Sequence, residues 1–214
     1  MVDILEQNKD KFEKYFEILS CENEKYNLTA ICQKQDVFDK HFYDSCLAVD
    51  LIKQHATLLD VGCGAGFPSL PVCIVRPDVK ATLIDGTKKK VDFCNMVAME
   101  LGLNAKAVHL RAEEFAQKKV FFHVVVSRAV ASLPTLLEYC APMCAVGGVV
   151  IAYKTDASEV EVAENAAKVL GLAQPEIHQF ETSYGKRCLF VYKKVAQTDA
   201  KYPRLRGLPR KTPL

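Results

Sequence analysis

Residues 60–68 read Asp60-Val61-Gly62-Cys63-Gly64-Ala65-Gly66-Phe67-Pro68. Three glycines at alternate positions, directly after an apolar run, let the backbone turn tightly and let a ligand approach to contact distance. A second apolar run ends in Ile84-Asp85. An acid about 20 residues beyond a glycine loop is placed to accept hydrogen bonds from ribose hydroxyls. Together these features predict a nucleoside-bearing cofactor. The dinucleotide fingerprint G-x-G-x-x-G would need a third glycine where Phe67 stands, and that glycine packs the helix of dinucleotide folds. Asp60 adds a carboxylate just before the loop. A loop with an acid at hand and no pyrophosphate to seat suits the sulfonium and amino group of S-adenosylmethionine better than NAD. The phosphate-cradling signature G-x-x-x-x-G-K-[ST] does not occur.

Two further positions carry charge where such a ligand would lie. Arg111-Ala112-Glu113-Glu114 follows a third apolar run. Its acids either favour a helix start or stand beside an adenine ring. Ser127-Arg128-Ala129 ends a fourth run, His123-Val124-Val125-Val126. Arg is unusual as the close of so apolar a strand, so Arg128 is either an exposed strand end or a cation near cofactor or target base. No Asn-Pro-Pro-aromatic motif follows that run, which disfavours methylation of an adenine amino group. No Pro-Cys dipeptide occurs, which argues against covalent catalysis by a positioned thiolate.

The elements that must hold these residues are legible from periodicity. Phe12, Tyr15, Phe16 and Leu19 fall on one helix face. A polar break is expected at Glu22-Asn23-Glu24-Lys25, then a second helical stretch over 35–52. From residue 57 short apolar runs (57–61, 81–85, 105–110, 123–128, 148–154) alternate with helix-period segments (68–75, 87–101, 112–117, 133–145, 157–170). That order predicts a parallel sheet covered on both faces. Residues 174–195 read as two strands around Ser183-Tyr184-Gly185-Lys186, an antiparallel hairpin at the sheet edge. The expectation is one α/β domain: a helical cap over 1–53, a core over 54–195 and a basic tail over 196–214.

Composition narrows the class. The chain has 214 residues, half of them hydrophobic and a quarter charged, which is ordinary globular usage. No apolar run reaches the roughly 18 residues of a membrane span, and the first residues lack the apolar core of a secretion signal. Nine cysteines without a C-x-x-C pair, and five histidines without ligand spacing to them, predict reduced thiols in a cytoplasmic protein and no metal site. The net charge of +2 is too small for binding by blanket phosphate neutralisation. The charge is nevertheless uneven, since residues 201–214 carry Lys201, Arg204, Arg206, Arg210 and Lys211 and no acid. They form a solvated tail or a nucleic-acid contact. Lys88, Lys89 and Lys90 open a helix after Thr87 and raise the same choice. A monomer is expected, because no extra apolar surface is evident.

Several blocks together resemble a known family. They are NLTAI at 27–31, KHFYDS at 40–45, DVGCGAGFPSLPVCIVRPD at 60–78, LIDGTKKKVDF at 83–93, RAEEF at 111–115, SRAVASL at 127–133 and KYPRLRGLPRKTPL at 201–214. The chain resembles the RsmG (GidB) family of bacterial 16S ribosomal RNA guanine-N7 methyltransferases over nearly its whole length. The resemblance implies a class I, Rossmann-like methyltransferase sheet of seven strands, mostly parallel with the last antiparallel, S-adenosylmethionine as donor, and 16S rRNA or the small subunit as partner, with neither DNA nor membrane. It implies that Gly62, Phe67, Ala112, Glu113 and Arg128 line the cofactor and active site and that Asp85 holds the ribose. Asp60, Gly64 and Gly66 complete the cofactor set, Arg128 is the catalytic candidate, and Lys88 and the tail cations are the RNA candidates. His41 and Asp44 in KHFYDS face RNA, face the cofactor, or are structural. Two positions depart from the family pattern: Ser69 stands where many members have glycine, and Thr155 follows Lys154 where glycine is usual. Guanine N7 has a lone pair and no proton, so its methylation needs no general base. A methyltransferase of the same fold acting on a small molecule or protein is the alternative, because fold alone does not fix function.

Overall fold

The computed structural model describes residues 2–128, 131–205 and 207–214. Its seven strands form one mixed sheet in the order β3-β2-β1-β4-β5-β7-β6, where β1 is Thr57–Val61, β2 Lys80–Asp85, β3 Ala105–His109, β4 Phe122–Arg128, β5 Cys144–Lys154, β6 Glu176–Thr182 and β7 Gly185–Lys193. The chain divides into two compact units, Met1–His109 and Leu110–Leu214.

In the first unit, helices α1 (Val2–Glu6), α2 (Lys9–Tyr26), α3 (Lys34–Val37) and α4 (Asp44–Cys46) precede the strands. Helix α2 buries Phe12, Tyr15 and Leu19, the face its periodicity predicts. It runs through the expected polar break to Tyr26, because Glu and Lys are good helix formers on a solvent-facing surface. It ends where Asn27 turns left-handed at φ 49°; Asn is one of the few residues that tolerates that region. The second helical stretch is not one helix. A π-helical turn over Phe38–Tyr43 joins α3 to α4, and a 3-10 turn follows at Val49–Leu51. Strands β1, β2 and β3 pair in parallel, with Asp60 opposite Leu83 and Asp85 opposite His109. Leu58 and Leu59 are successive residues on opposite faces of β1, and both are wholly buried, as a strand covered on both sides requires. Helices α5 (Ser69–Val75) and α6 (Lys88–Glu100) supply cover.

In the second unit, α7 (Ala112–Ala116) leads into β4, which pairs in parallel with β5. Strand β7 lies between β5 and β6, antiparallel to both, so the predicted hairpin is present. Helix α8 (Leu133–Cys140) is shorter than its apolar pattern suggested: the backbone tightens into a 3-10 turn at Ala141–Met143 and β5 begins at Cys144. Pro142 lacks the N–H that would continue the helix. Likewise the predicted helix over 157–170 is a 3-10 turn at Glu161–Ala163 followed by α9 (Glu164–Val169). The last element, α10 (Leu208–Lys211), is one turn inside the basic tail.

Candidate cofactor loop and surrounding charges

The glycine loop leaves β1 and is fastened to its neighbour strand. The N–H groups of Gly62 and Cys63 both donate to the Ile84 carbonyl at the end of β2, at 2.9 and 3.1 Å. The loop then closes on itself, with Gly66 and Phe67 N–H donating to the Cys63 carbonyl. Gly64 has φ +56°, and a Cβ built there would meet nothing among the described residues within 4 Å. Gly66 has φ +90°, and its Cβ would fall 2.4 Å from Leu70 Cδ1 and 2.6 Å from the Tyr15 hydroxyl. The loop therefore has one open face, at Gly64, and one packed face, at Gly66.

Two acids set the shape of this loop. Asp85 is half-buried; its Oδ2 accepts the Gly64 N–H at 3.1 Å and its Oδ1 accepts the Thr87 N–H at 2.8 Å. The acid expected to meet a ribose thus also fixes the open edge of the loop, and it stays partly exposed there. Asp60 is wholly buried. Its Oδ2 accepts the N–H of Ser69, the first residue of α5. It shapes the backbone from behind and presents no exposed carboxylate. Phe67 is almost fully buried against aromatic rings, with His41 stacked at 4.4 Å and 17° and Tyr15 at 5.6 Å and 22°. Of the residues expected at the cofactor, Asp60, Gly62, Gly64, Gly66, Phe67 and Asp85 are brought together in this first unit. Tyr15 and His41 were not legible as partners of the loop, because a helix-face Tyr and a lone His carry no pairing signal. His41 meets Thr29 Oγ1 at 2.8 Å and stacks on Phe67, a structural placement.

In the second unit, Ala112 and Glu113 open α7 and are half-buried, whereas the Glu114 carboxylate accepts the Arg111 backbone N–H at 3.1 Å. Glu114 therefore bonds back to Arg111, the N-cap of α7, and Glu113 takes no part in that bond. Burial, and after it the charge of Glu113, push the Tyr139 phenol up, while Arg210 acts against them. Arg128 is the half-buried last residue of β4, in register with Tyr153. At the end of β5, Lys154 Nζ donates to the Ala131 carbonyl and to both oxygens of Glu159, at 2.9–3.0 Å. Glu159 in turn accepts the Leu133 N–H. Spacing gave no hint of this network.

The tail cations differ from expectation. Arg204 is committed internally: its Nε and NH2 reach the two oxygens of buried Glu138 at 2.9 and 2.6 Å, so it is not a side chain waiting for phosphate. Pro203 and Pro209 are buried, and Thr135 Oγ1 donates to the Pro209 carbonyl. The tail is packed structure, and removing it after Asp199 would uncover α8. Lys201 is exposed and pairs with Asp199, Lys88 is exposed and pairs with Asp92, and Arg210 and Lys211 are exposed. Arg206 lies outside the described residues. Seven cysteines are buried and two, Cys21 and Cys32, exposed. Among the described residues no group of three or more His, Cys, Asp or Glu could hold a metal, and no helix is long and apolar enough to cross a membrane.

Comparison with known proteins agrees with this arrangement. The chain matches solved structures in fold, among them a methyltransferase from Pyrococcus furiosus (TM-score 0.57, 14% identity, 72% of this chain and 83% of that one). Another is the precorrin-6y C5,15-methyltransferase of Geobacter metallireducens (TM-score 0.56, 11% identity, 70% and 87%). The sheet is thus that of class I methyltransferases. In sequence it is 44% identical to the ribosomal RNA small subunit methyltransferase G of Exiguobacterium sibiricum, over all of this chain and 94% of the relative. It is 43% identical to the proteins of that name from Streptococcus thermophilus and Desulforamulus reducens, over 99% of this chain and 94% and 92% of those. The family model described as rRNA small subunit methyltransferase G matches residues 8–189, and with relatives of that name along its entire length the chain belongs to this family.

Proposed function

We propose that this protein transfers a methyl group from S-adenosylmethionine to N7 of a guanine in the 16S rRNA of the small ribosomal subunit, as a cytoplasmic monomer. The observation that carries the cofactor reading is the open face at Gly64, held by Asp85, a residue that is itself partly exposed. A backbone cradle with no side chain in the way and an acid at its rim fits a nucleoside. When bound, S-adenosylmethionine supplies an electrophilic methyl carried on a sulfonium. On this reading Gly62, Gly64 and Ala112 contact the donor, Asp85 takes the ribose hydroxyls, and Glu113 stands at the adenine. Asp60, Gly66 and Phe67 act from behind by shaping the loop.

The acceptor needs no base, since guanine N7 offers a lone pair and loses no proton. What the protein must do is hold N7 in line, about 3–3.5 Å from the carbon, and oppose the positive charge that moves onto the purine. Arg128, half-buried at the strand end, is the catalytic candidate, by contact with guanine O6 or a flanking phosphate. The target base must be presented out of a stack, because the major groove of an A-form helix is too narrow for side chains. Lys88, Lys201, Arg210 and Lys211 are the exposed cations proposed to meet the RNA backbone, Arg206 joins them by sequence position, and Arg204 anchors their segment. The helices of 1–53 form a cap on the 54–195 core, and 196–214 is its RNA-side segment.

The test is methyl transfer. Purified protein, methyl-labelled S-adenosylmethionine and rRNA from cells lacking this enzyme, as naked RNA and as small subunits, are incubated and the RNA is digested to nucleosides. The expected product is labelled 7-methylguanosine, strongly reduced in Arg128→Ala. No label in either RNA form, with cofactor binding intact, would point to a small molecule or protein as acceptor.

A further inference from the structure

The Ala65 carbonyl lies between Gly64 and Gly66, inside the loop, and Ala65 is almost fully buried. A buried carbonyl needs a donor, and the loop backbone does not provide it. The Tyr15 hydroxyl does, at 2.5 Å, from helix α2, fifty residues earlier. Tyr15 is itself wholly buried, and its ring also stacks on Phe67. A second ring stacked on Phe67 is that of His41, which Thr29 Oγ1 meets at 2.8 Å. The N-terminal helices thus grip the loop at two points, by a hydrogen bond at Ala65 and by ring contacts at Phe67. They also close its packed face, since the Tyr15 oxygen is one of the two obstacles to a Cβ at Gly66.

We propose that Tyr15 is a positioning residue for cofactor binding: its hydroxyl holds the Ala65 carbonyl inward, and so keeps the adjoining Gly64 peptide presented at the open face. The inference rests on the reading of this loop as the S-adenosylmethionine site. Without the hydroxyl, the orphaned carbonyl regains a partner only by turning toward solvent. That rotates the Ala65–Gly66 peptide and carries the Gly64 backbone out of the geometry Asp85 fixes. Binding must then restore the loop, and the cost appears as affinity. Losing one hydrogen bond to a buried acceptor corresponds to about a tenfold change.

The decisive variant is Tyr15→Phe, which keeps the ring and its stacking and deletes one oxygen. Calorimetric titration of the full chain with S-adenosylmethionine and with S-adenosylhomocysteine is expected to give dissociation constants about tenfold weaker than wild type. The KM for S-adenosylmethionine should rise in step and the KM for rRNA should stay within twofold, a split that a general loss of stability would not produce. Should Tyr15→Phe not yield folded protein, Thr29→Val, which removes the hydroxyl that meets the His41 ring and accepts the Ile31 N–H, is titrated in its place, with an expected weakening of about threefold. Wild-type affinity in the folded variant, or equal rises in both KM values, would overturn the proposal while leaving the cofactor reading intact. Absence of binding by the wild type would overturn the cofactor reading and this proposal with it.

Discussion

Arg204 and Glu138 stand 66 residues apart and meet through three hydrogen bonds: the Arg204 backbone N–H and Nε to Glu138 Oε1, and NH2 to Oε2. Glu138 is wholly buried in α8, while the Arg204 side chain keeps a quarter of its surface exposed. The pairing raises the arginine further above its usual range. Arg204 NH2 also donates to the Thr212 carbonyl, so one guanidinium ties the tail both to α8 and to itself.

Removing one partner of a buried ion pair leaves an uncompensated charge and costs about 3–5 kcal/mol. Arg204→Ala is expected at the low end of that range because its guanidinium is partly solvated. Lys201→Ala, at an exposed pair, should cost less than about 1 kcal/mol. Urea unfolding of both variants checks this. Equal small losses would mean that the tail is held by its buried prolines and not by the ion pair.

The two faces of the glycine loop predict opposite outcomes for one added methyl group. At Gly66 the new Cβ meets Leu70 and Tyr15 inside 3 Å, on top of a positive φ; Gly66→Ala should destabilise the protein by more than about 2 kcal/mol. At Gly64 there is space, so Gly64→Ala should cost only the left-handed backbone strain, about 1–2 kcal/mol. It should nevertheless lose most cofactor affinity, because the methyl group occupies the open face. Thermal unfolding alongside cofactor titration separates the two; a Gly64→Ala variant that binds normally would mean that the donor does not approach there.

Ser69 begins α5 with its side chain wholly buried and its hydroxyl without a hydrogen-bond partner. Its N–H, bonded to Asp60, is untouched by changing the side chain. Ser69→Ala therefore removes a desolvated hydroxyl and should stabilise the protein by about 1 kcal/mol. A raised urea midpoint with unchanged slope is the expected reading. A lowered midpoint would mean that the hydroxyl has a role the direct contacts do not reveal.

Arg76, just after α5, donates to both oxygens of Asp78, at 2.7 and 2.8 Å, and the His55 N–H donates to Asp78 Oδ2. The Arg76 hydrogen bonds first, and His55 after them, hold the Asp78 carboxyl well below the usual carboxylate range. The unfolded chain, with an ordinary Asp near pH 3.9, therefore binds its proton at higher pH than the folded one. The stabilisation is complete above about pH 5 and is lost as pH falls below about 4. Wild type should exceed Asp78→Asn in stability at pH 7, and the gap should narrow toward pH 3. A gap independent of pH would remove the titration from the account.

Residue types and spacing alone determined a good deal here. The alternation of apolar runs with helix-period segments, Gly62, Gly64 and Gly66 after β1, and Asp85 closing β2 depend on neighbours in sequence, through strand periodicity and backbone freedom. They were therefore visible as an α/β sheet with a glycine turn after its first strand. The same holds for the hairpin around Tyr184, where turn chemistry is local. Charge was visible only as charge. The tail read as five cations, yet folding gave Arg204 to Glu138, and Glu113 and Glu114 looked alike until the turn of α7 bonded one of them back to Arg111. The grip of Tyr15 and His41 on the loop, and the burial of Asp60 behind it, also came from folding. These choices are made by contacts between residues far apart in the chain, whose partners depend on how helices pack and which groups lose water. Only the tertiary structure decides that.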